Sequence, residues 1–361
     1  GKIVMAEREV RLMKGNEAFG KAAMVAGCKY FFGYPITPQS ELPEYLSREL
    51  PAIGGTFVQA ESEVAAINMV YGAGGCGARV LTSSSSPGIA LKQEGITYCA
   101  GAEVPCVILN VVRGGPGLGS IQPSQSDYFM TTRGGGDGDY RTPVYAPASV
   151  QEACDMIMDA FDVAELYRTP VLVLLDGMIG QMMEPVDFDK PRKQRELPSK
   201  EGWATTGTKG QRKPNIINSL YLSPEILEEH NYHLQRKYDV IEANELQYEM
   251  DRTEDAELVF VAYGTMARVV KNCVNEMREE GYKVGLIRPK TVWPYPYKAF
   301  DEIPACKNLF VIEMSLGQMV EDVKLGSNGR YPVHFYGRPG GMVPEPKEII
   351  ARAKKIMGGV K

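Results

Sequence analysis

Residues 57–72, FVQAESEVAAINMVYG, join a short apolar run to a longer one through the polar step Glu61-Ser62-Glu63. This order predicts a strand, a helix start and a buried helix. Ser62 suits the N-cap, and the acids beside it suit a first turn, because the backbone N–H groups and the helix dipole favour negative charge there. Capping alone would explain such acids on an ordinary helix. The apolar residues that follow Glu63 also predict a carboxylate buried beside an apolar cleft, where a glutamate can share a proton.

The composition and charge indicate a globular protein with small-molecule or protein partners. The 361 residues suffice for two or three domains, and the hydrophobic and charged fractions, 44% and 24%, are typical of a soluble globular chain. A net charge of -5 without long basic runs gives no reason to expect a nucleic-acid partner. No apolar stretch has the length of a membrane span, and the polar residues 1–16 lack the apolar centre of a signal peptide. We therefore expect a cytoplasmic protein.

Cysteine and histidine usage predicts no metal site in this chain. The seven cysteines are scattered without a Cys-x-x-Cys pair, so neither a disulfide framework nor an iron–sulfur cluster is expected here. Of the three histidines, His230 and His233 fall in a charged helical stretch, where an ordinary surface role is the simpler explanation.

Alternating strand and helix patterns predict an α/β fold with a doubly wound, mostly parallel sheet in residues 1–183. The strands predicted there are residues 30–33, 57–60, 79–82, 104–112 and 170–176, and the helices are residues 14–27, 39–50, 63–72, 89–101 and 150–167. Residues 184–254 are richer in charge, Asn and Pro, which predicts a linker with one long charged helix near residues 224–250. Strand and helix patterns resume in residues 255–361, which we expect to form a second, smaller α/β domain. The strands predicted there are residues 258–263, 283–288 and 308–313, and the helices are residues 266–280 and 316–325.

Polar residues follow several predicted strands, at the sheet edge where open α/β sheets bind ligands. Thr37 lies between two prolines that stiffen the turn, although this turn could also be an ordinary connector. Ser85 belongs to a run of four serines that either binds a substrate or caps the next helix; capping is the more conservative interpretation. Arg113 ends the most apolar strand, and its guanidinium is suited to a carboxylate ligand.

Two glycine-rich segments resemble cofactor motifs in letters only. Residues 72–77 match a dinucleotide fingerprint, but they end a predicted helix, whereas that turn must follow a strand and open a helix. Residues 136–139, GDGD, resemble the start of a thiamine diphosphate metal motif, but no apolar strand precedes them and no Asn pair follows. We interpret both as structural. No P-loop or Gly-x-Ser-x-Gly elbow is present.

Three motifs taken together resemble the alpha subunit of the 2-oxoacid:ferredoxin oxidoreductases. They are Tyr34-Pro35-Ile36-Thr37-Pro38, Gln59-Ala60-Glu61-Ser62-Glu63, and Arg113-Gly114-Gly115-Pro116 followed by Gln125-Ser126-Asp127. The loop of residues 117–123 most resembles the branched-chain, 2-oxoisovalerate branch. The similarity continues through residues 203–207 and 288–294 and so covers nearly the whole chain.

This resemblance implies a pyrimidine-binding domain for thiamine diphosphate followed by a transketolase C-terminal-like domain. The diphosphate end, its Mg²⁺ and the 4Fe-4S clusters are then expected in partner subunits only. The implied partners are a beta subunit, a gamma subunit and a ferredoxin-like delta subunit, together with ferredoxin, a 2-oxoacid and coenzyme A.

The resemblance also implies roles for individual residues. Glu63 is expected to hydrogen-bond the pyrimidine ring nitrogen and favour its imino tautomer, with Pro35 and Ile36 also contacting the cofactor. Thr37 is expected to hydrogen-bond the keto acid, and Arg113 to hold its carboxylate until carbon dioxide leaves. Glu61 remains a helix-start acid.

The residues beside Arg113 also predict the substrate. No Lys or Arg occurs in residues 114–132, so this loop offers no second cation for a dicarboxylate such as 2-oxoglutarate. Leu118 and Ile121, with Tyr128, are expected to line a pocket for a branched aliphatic side chain. We therefore expect 2-oxoisovalerate to be preferred. The alternatives are a 2-oxoglutarate:ferredoxin oxidoreductase subunit, a lipoamide-linked 2-oxoacid dehydrogenase component and a non-catalytic scaffold subunit.

Overall fold

The fold is described by a computed structural model that covers residues 10–358. Residues 1–9 and 359–361 lie outside the described part, and with them most of the polar N-terminal stretch considered above. Two large sheets organise the chain, one of seven strands and one of five, and a third sheet is a two-stranded ribbon. No helix between residues 10 and 358 has both the length and the apolar character needed to cross a membrane.

The strands and helices are numbered in chain order. The strands are β1 (Val10–Lys14), β2 (Tyr30–Gly33), β3 (Thr56–Gln59), β4 (Val80–Ser84), β5 (Cys106–Val112), β6 (Val144–Tyr145), β7 (Pro170–Asp176), β8 (Met183–Asp187), β9 (Tyr248–Asp251), β10 (Leu258–Val261), β11 (Val284–Pro289), β12 (Thr291–Trp293), β13 (Asn308–Glu313) and β14 (Val333–Gly337). The helices are α1 (Gly15–Val25), α2 (Glu41–Ala52), α3 (Glu63–Gly75), α4 (Pro87–Leu91), α5 (Gln93–Gly101), α6 (Tyr128–Thr132), α7 (Val150–Tyr167), α8 (Gly177–Gln181), α9 (Pro224–Glu245), α10 (Gly264–Glu279), α11 (Met319–Ser327) and α12 (Pro346–Ile356).

The seven-stranded sheet has the order β12-β6-β7-β5-β4-β2-β3. All neighbours are parallel except β12, which runs antiparallel to β6. The chain leaves β2 toward β3 on one side and returns to β4 on the other, so the connections reverse direction at β2. Such a reversal opens a crevice at the carboxyl ends of the strands, where doubly wound folds bind ligands. The predicted doubly wound, mostly parallel sheet is therefore confirmed.

The central strands bury both faces, as a parallel sheet covered by helices requires. In β5, Val107, Leu109 and Val111 pack into the core formed with α1 and α7, and the alternate residues Cys106 and Ile108 pack into the core on the opposite face. This period of two explains why β5 is apolar at almost every position.

The five-stranded sheet has the order β14-β13-β10-β11-β9 and is parallel except at β9. Residues of β10 divide between two cores. Leu258 and Phe260 pack against α10 and α12, while Val259 and Val261 join the core that also covers one face of the seven-stranded sheet. The two large sheets therefore share one continuous hydrophobic core.

Several predicted elements differ from those observed. The helix predicted over residues 89–101 consists of α4 and α5, which meet at Lys92. The charged helix predicted near residues 224–250 ends at Glu245, and the residues after it form β9 as the edge of the second sheet. The helix predicted over residues 316–325 begins only at Met319. Strand β12 belongs to the second half of the sequence, but it pairs with β6 and forms one edge of the seven-stranded sheet.

Candidate functional site

Glu63 is the first residue of α3, directly after the N-cap. Ser62 has extended backbone geometry and its hydroxyl accepts a hydrogen bond from the Ala65 N–H at 3.1 Å, which confirms the predicted cap. Glu61 precedes the cap and is exposed, so it does not lie in the first turn as predicted. Glu63 is 8% exposed, and no side chain among residues 10–358 hydrogen-bonds to its carboxylate. The buried acid is therefore available to a ligand.

The helix that carries Glu63 is apolar on all sides, but only one side is covered. Ala66, Ile67 and Val70 are buried in the core. Val64 and Met69 are 44% and 39% exposed, so they do not wall the glutamate as predicted.

The start of α4 lies against Glu63. A Cβ atom added to Gly88 would lie 3.0 Å from Glu63 Cγ and would collide with the Ser84 hydroxyl. The Ser84 and Ser85 hydroxyls are buried and have no hydrogen-bond partner among the described residues. The segment from Ser84 to Gly88 thus packs against Glu63 at Gly88 and contains two buried hydroxyls that have no partner among the described residues.

Lys92 follows α4 and is completely buried. Its ammonium has no hydrogen-bond partner among residues 10–358. Burial lowers the pKa of Lys92 to about 8, and the negative charge of Glu63 opposes that shift. A cation and an acid of the candidate site thus interact through their charges.

Thr37 and Arg113 are brought together at the carboxyl edge of the sheet. Arg113 is 7% exposed, and its guanidinium donates one hydrogen bond to the Thr37 carbonyl and one to the Leu118 carbonyl, each at 3.0 Å. Its Nε–H is buried without a partner. Arg113 therefore fixes two loops, in addition to any ligand that it binds.

Two further side chains donate hydrogen bonds to the backbone of the turn that contains Thr37. Asn16 Nδ2 and Gln181 Nε2 donate to the Pro38 carbonyl at 2.7 and 3.0 Å. Thr37 itself is exposed to solvent. Pro35 is exposed and Ile36 is half-buried in the same turn.

Ser86 precedes α4, but its side chain makes no cap hydrogen bond to the helix, contrary to the capping interpretation of the serine run. The Ser86 hydroxyl instead donates to the Arg113 carbonyl at 3.1 Å and accepts from the Arg113 N–H at 3.0 Å. The Ser86 N–H donates to Asn110 Oδ1, and Asn110 Nδ2 donates to Asp127 at 2.9 Å. Burial raises the pKa of Asp127, and the hydrogen bonds from Ser86 and Asn110 oppose that rise. This buried network locks the end of β5 against the start of α4.

The loop after Arg113 folds back on the site and exposes two predicted substrate contacts. Leu118 is 80% exposed and Ile121 is 55% exposed. Ile121 and Thr37 line one groove of about 570 Å³, which Pro38, Pro123, Met178 and Met182 also border. Leu118 does not line this groove.

Tyr128 does not belong to this pocket, contrary to the prediction. The side chain is fully buried, and its hydroxyl donates to Asp322 of α11. Its ring packs 5.7 Å from the Tyr263 ring, between the two sheets. Tyr128 follows the loop in sequence, but it begins α6 and packs against residues of the second half of the chain instead of bordering the groove.

Sequence reasoning missed Lys92, Gly88 and Gln125. Lys92 stands out only as a charge within an apolar helix, and Gly88 as a glycine near a helix start. Gln125 lies in one of the three motifs, but the sequence there gives no sign of its contacts with the second sheet. Among residues 10–358 no group of three or more His, Cys, Asp and Glu side chains is arranged to hold a metal ion.

Comparison with known proteins defines the class first. Residues 21–250 match the family model described as pyruvate flavodoxin/ferredoxin oxidoreductase, thiamine diphosphate-binding, and residues 256–349 match pyruvate:ferredoxin oxidoreductase core domain II. A split-gene transketolase solved as an inactive beta4 tetramer is 13% identical with a TM-score of 0.59, which shows a shared fold only. Both family models describe oxidoreductases with ferredoxin as a partner.

Individual related proteins show which members of this class the chain resembles. Ketoisovalerate oxidoreductase subunit VorB of Methanothermobacter marburgensis is 49% identical over 96% of this chain and 98% of its own length. 2-Oxoglutarate synthase subunit KorA of Methanocaldococcus jannaschii is 35% identical over 94% and 98%. A solved 2-oxoglutarate:ferredoxin oxidoreductase from Magnetococcus marinus, with 2-oxoglutarate, coenzyme A and succinyl-CoA bound, has 28% identity and a TM-score of 0.84. The match covers 96% of this chain and 65% of that one. The chain belongs to the 2-oxoacid:ferredoxin oxidoreductase family.

Proposed function

We propose that this chain is the alpha subunit of a 2-oxoisovalerate:ferredoxin oxidoreductase and holds the aminopyrimidine end of thiamine diphosphate through Glu63. The overall reaction converts the 2-oxoacid and coenzyme A into acyl-CoA and carbon dioxide, and passes the released electrons to ferredoxin. The observation that carries the proposal is a buried carboxylate, at the start of α3, that no described side chain hydrogen-bonds.

The residues around Glu63 fit the cofactor. Gly88 lies against the glutamate without a side chain, and the buried Ser84 and Ser85 hydroxyls are unpartnered. The Glu63 carboxylate has no hydrogen-bond partner among the described side chains, so it can bond a ring nitrogen of the cofactor. When bound, thiamine diphosphate supplies the nucleophilic carbon and the electron sink for decarboxylation. Glu63 would share a proton with the pyrimidine ring nitrogen, which a buried carboxyl does more readily than an exposed one.

Thr37, Arg113 and Ser85 are proposed to bind the keto acid. The Arg113 Nε–H is buried and unpartnered, so it remains available to a carboxylate. The Thr37 side chain lies on the exposed side of a turn whose backbone three side chains hold. Ser85 contributes a buried hydroxyl without a partner. Pro35 and Ile36 are proposed to contact the cofactor from the same turn.

The relatives and the loop sequence support 2-oxoisovalerate as the substrate. Two relatives at 49% and 48% identity are ketoisovalerate oxidoreductase subunits, whereas the 2-oxoglutarate synthase subunits reach 36%. Residues 114–132 contain no Lys or Arg for a second carboxylate. Leu118 and Ile121 are exposed apolar groups on this loop, and we propose that they border the acyl side chain. The runner-up substrate is 2-oxoglutarate, which the KorA relatives favour.

We propose that a beta subunit with Mg²⁺ holds the diphosphate end, and that gamma and delta subunits with 4Fe-4S clusters carry electrons to ferredoxin. Exposed apolar residues near the glutamate, including Val64, Met69 and Leu91, suit a subunit contact at this site. All seven cysteines are unpaired, which suits a reducing compartment such as the cytoplasm.

The test is substrate-dependent ferredoxin reduction by the purified complex with each keto acid. We expect faster turnover with 2-oxoisovalerate than with 2-oxoglutarate. Glu63→Gln keeps the shape of the side chain but cannot supply the carboxylate, so turnover should fall by about 100-fold or more while the complex still assembles.

Glu61→Gln is the matched control, because Glu61 is an exposed acid on the other side of the cap, and it should keep turnover near that of the native complex. Faster use of 2-oxoglutarate would overturn the substrate assignment. Native turnover in an assembled Glu63→Gln complex would instead support a scaffold role.

A further inference from the structure

The groove beside Thr37 is bordered by two methionines that the proposed chemistry does not yet use. Met178 belongs to α8 and Met182 follows its end, and the Met182 N–H donates to the Met178 carbonyl at 3.1 Å. Both side chains are half-buried and line the same groove of about 570 Å³ as Thr37 and Ile121. Thr37 and Ile121 are the residues proposed to meet the keto acid and its side chain. The methionines therefore lie where that side chain would extend.

Helix α8 is fixed against both loops of the candidate site. A Cβ atom at Gly177 would lie 3.2 Å from Pro123 Cα, in the loop after β5. Gln181 Nε2 donates to the Pro38 carbonyl at 3.0 Å, in the turn after β2. One methionine packs against a core of the five-stranded sheet, and the other packs against a core of the seven-stranded sheet. These contacts hold the methionines at a fixed place in the groove.

The described lining of the groove contains an acid but no basic side chain. The acid is Glu41, the first residue of α2, and none of the other described lining residues is Asp, Lys, Arg or His. The Lys14 ammonium lies 2.6 Å from Glu41 Oε1, and Asn16 Nδ2 donates to Glu41 Oε2 at 2.8 Å. Because Glu41 pairs with this ammonium, a second carboxylate in the groove would meet a like charge instead of a free cation.

We propose that this groove is the acyl-chain pocket, in which Met178 and Met182 contact the branched side chain of the keto acid and Glu41 excludes a second carboxylate. The inference rests on the proposed function, which places the keto acid at Thr37. Unbranched thioether side chains adapt to irregular apolar groups. A carboxylate at the end of the acyl chain would lose water and also meet the Glu41 charge. The pocket therefore selects monocarboxylic keto acids with aliphatic side chains, such as 2-oxoisovalerate.

The role of the charge is tested by the ratio of kcat/KM for 2-oxoisovalerate to kcat/KM for 2-oxoglutarate, measured as ferredoxin reduction by the purified complex. Glu41→Gln keeps the size of the side chain, removes its charge and leaves the Lys14 ammonium without its carboxylate. The ratio should fall by about tenfold or more, because 2-oxoglutarate is used faster. Glu44→Gln is the matched control and should keep the native ratio, since Glu44 is an exposed acid of the same helix that does not line the groove.

Lys14→Met tests the same charge in the opposite direction and does not depend on the folding of the Glu41→Gln variant. Without the ammonium, the negative charge of Glu41 is no longer compensated, so the ratio should rise. A ratio that moves in the same direction in both variants, or that stays native in both, would overturn the role of Glu41.

The methionines are tested with keto acids that have different side chains. Met182→Ala should lower kcat/KM for 2-oxoisovalerate by about tenfold and change kcat/KM for pyruvate much less, because the single methyl group of pyruvate fills less of the groove. Met178→Ala should act in the same way. Met183→Ala is the control, since Met183 is 58% exposed and does not line the groove. An equal loss for both acids would indicate a structural effect and overturn the proposed contact.

The outcomes separate this inference from the proposed function. If the native complex uses 2-oxoglutarate faster than 2-oxoisovalerate, the substrate assignment itself fails. If the native complex prefers 2-oxoisovalerate while the Glu41 and methionine variants keep the native ratios, only the inference about the groove fails.

Discussion

At the scale of single residues, the close approach of Gly88 to Glu63 is the tightest constraint on the candidate site. The Ser62 cap and the start of α4 hold the glutamate in position. A side chain at residue 88 would meet both Glu63 and the Ser84 hydroxyl. The glycine is therefore required by space, since no positive φ is involved at this residue.

Gly88→Ala should lower turnover by about tenfold or more, because the added methyl group displaces the Glu63 carboxylate by a few tenths of an ångström from its ligand. Steady-state ferredoxin reduction measures this. Gly72→Ala is the control, since nothing lies within 4 Å of a Cβ at this exposed position of α3. It should keep turnover and raise the free energy of unfolding by up to about 1 kcal/mol. Equal turnover in both variants would contradict the constraint.

Glu63 was predictable from the sequence, but Lys92 was not. The signal for Glu63 is local, since cap, acid and apolar helix follow one another within a few residues. Burial of Lys92 depends on where α4 and α5 pack against α3, and Lys92 follows Glu63 by 29 residues in the chain. A lysine in an apolar helix gives no indication by itself of the partner that it will face.

At the scale of structural elements, Arg113 ties the turn after β2 to the loop after β5. Its two hydrogen bonds end on the backbone of Thr37 and Leu118, and Ser86 holds its main chain. The sequence predicted that Arg113 would lie at the sheet edge, because it ends an apolar strand. Its bonding to two carbonyls was not predictable, since the loop conformation determines it.

Arg113→Lys should raise the KM for the keto acid by about tenfold or more, because a lysine lacks the planar fork that reaches both carbonyls. Initial rates over a range of keto acid concentrations measure this. Arg79→Lys is the control, because Arg79 pairs with Asp162 and Glu165 at the opposite end of β4. An unchanged KM in Arg113→Lys would show that the two loops hold their positions without the guanidinium.

Predictability also varied among the strands. β7 and β13 have the predicted bounds. Each is a short continuous apolar run, which is typical of a strand buried on both faces of a parallel sheet. β9 has the sequence YEMD and is half-buried, so it shows no apolar run. Its place in the sheet depends on pairing with β11, which no local pattern reveals.

At the scale of the whole molecule, Gln125 joins the two large sheets. Its side-chain amide donates to the Tyr263 carbonyl at 2.9 Å and accepts from the Met314 N–H at 3.1 Å. Asp176, at the end of β7, accepts the Thr265 N–H at the start of α10. These buried contacts position the second sheet against the edge that carries the candidate site.

Gln125→Ala should lower the free energy of unfolding by about 2–4 kcal/mol, because two buried backbone groups lose their partners. Thermal or denaturant unfolding of the purified complex measures this. Gln122→Ala is the control, as Gln122 is exposed in the preceding loop. A Gln125→Ala complex as stable as the control would mean that water replaces both bonds.

Strand β12 has a consequence for any attempt to divide this chain. It lies beyond the long helix α9 in sequence, yet it pairs with β6 and covers that margin of the seven-stranded sheet. A fragment ending before residue 256 would leave the N–H and C=O groups of β6 open to other polypeptides, so truncation at the boundary between the two family matches would invite aggregation.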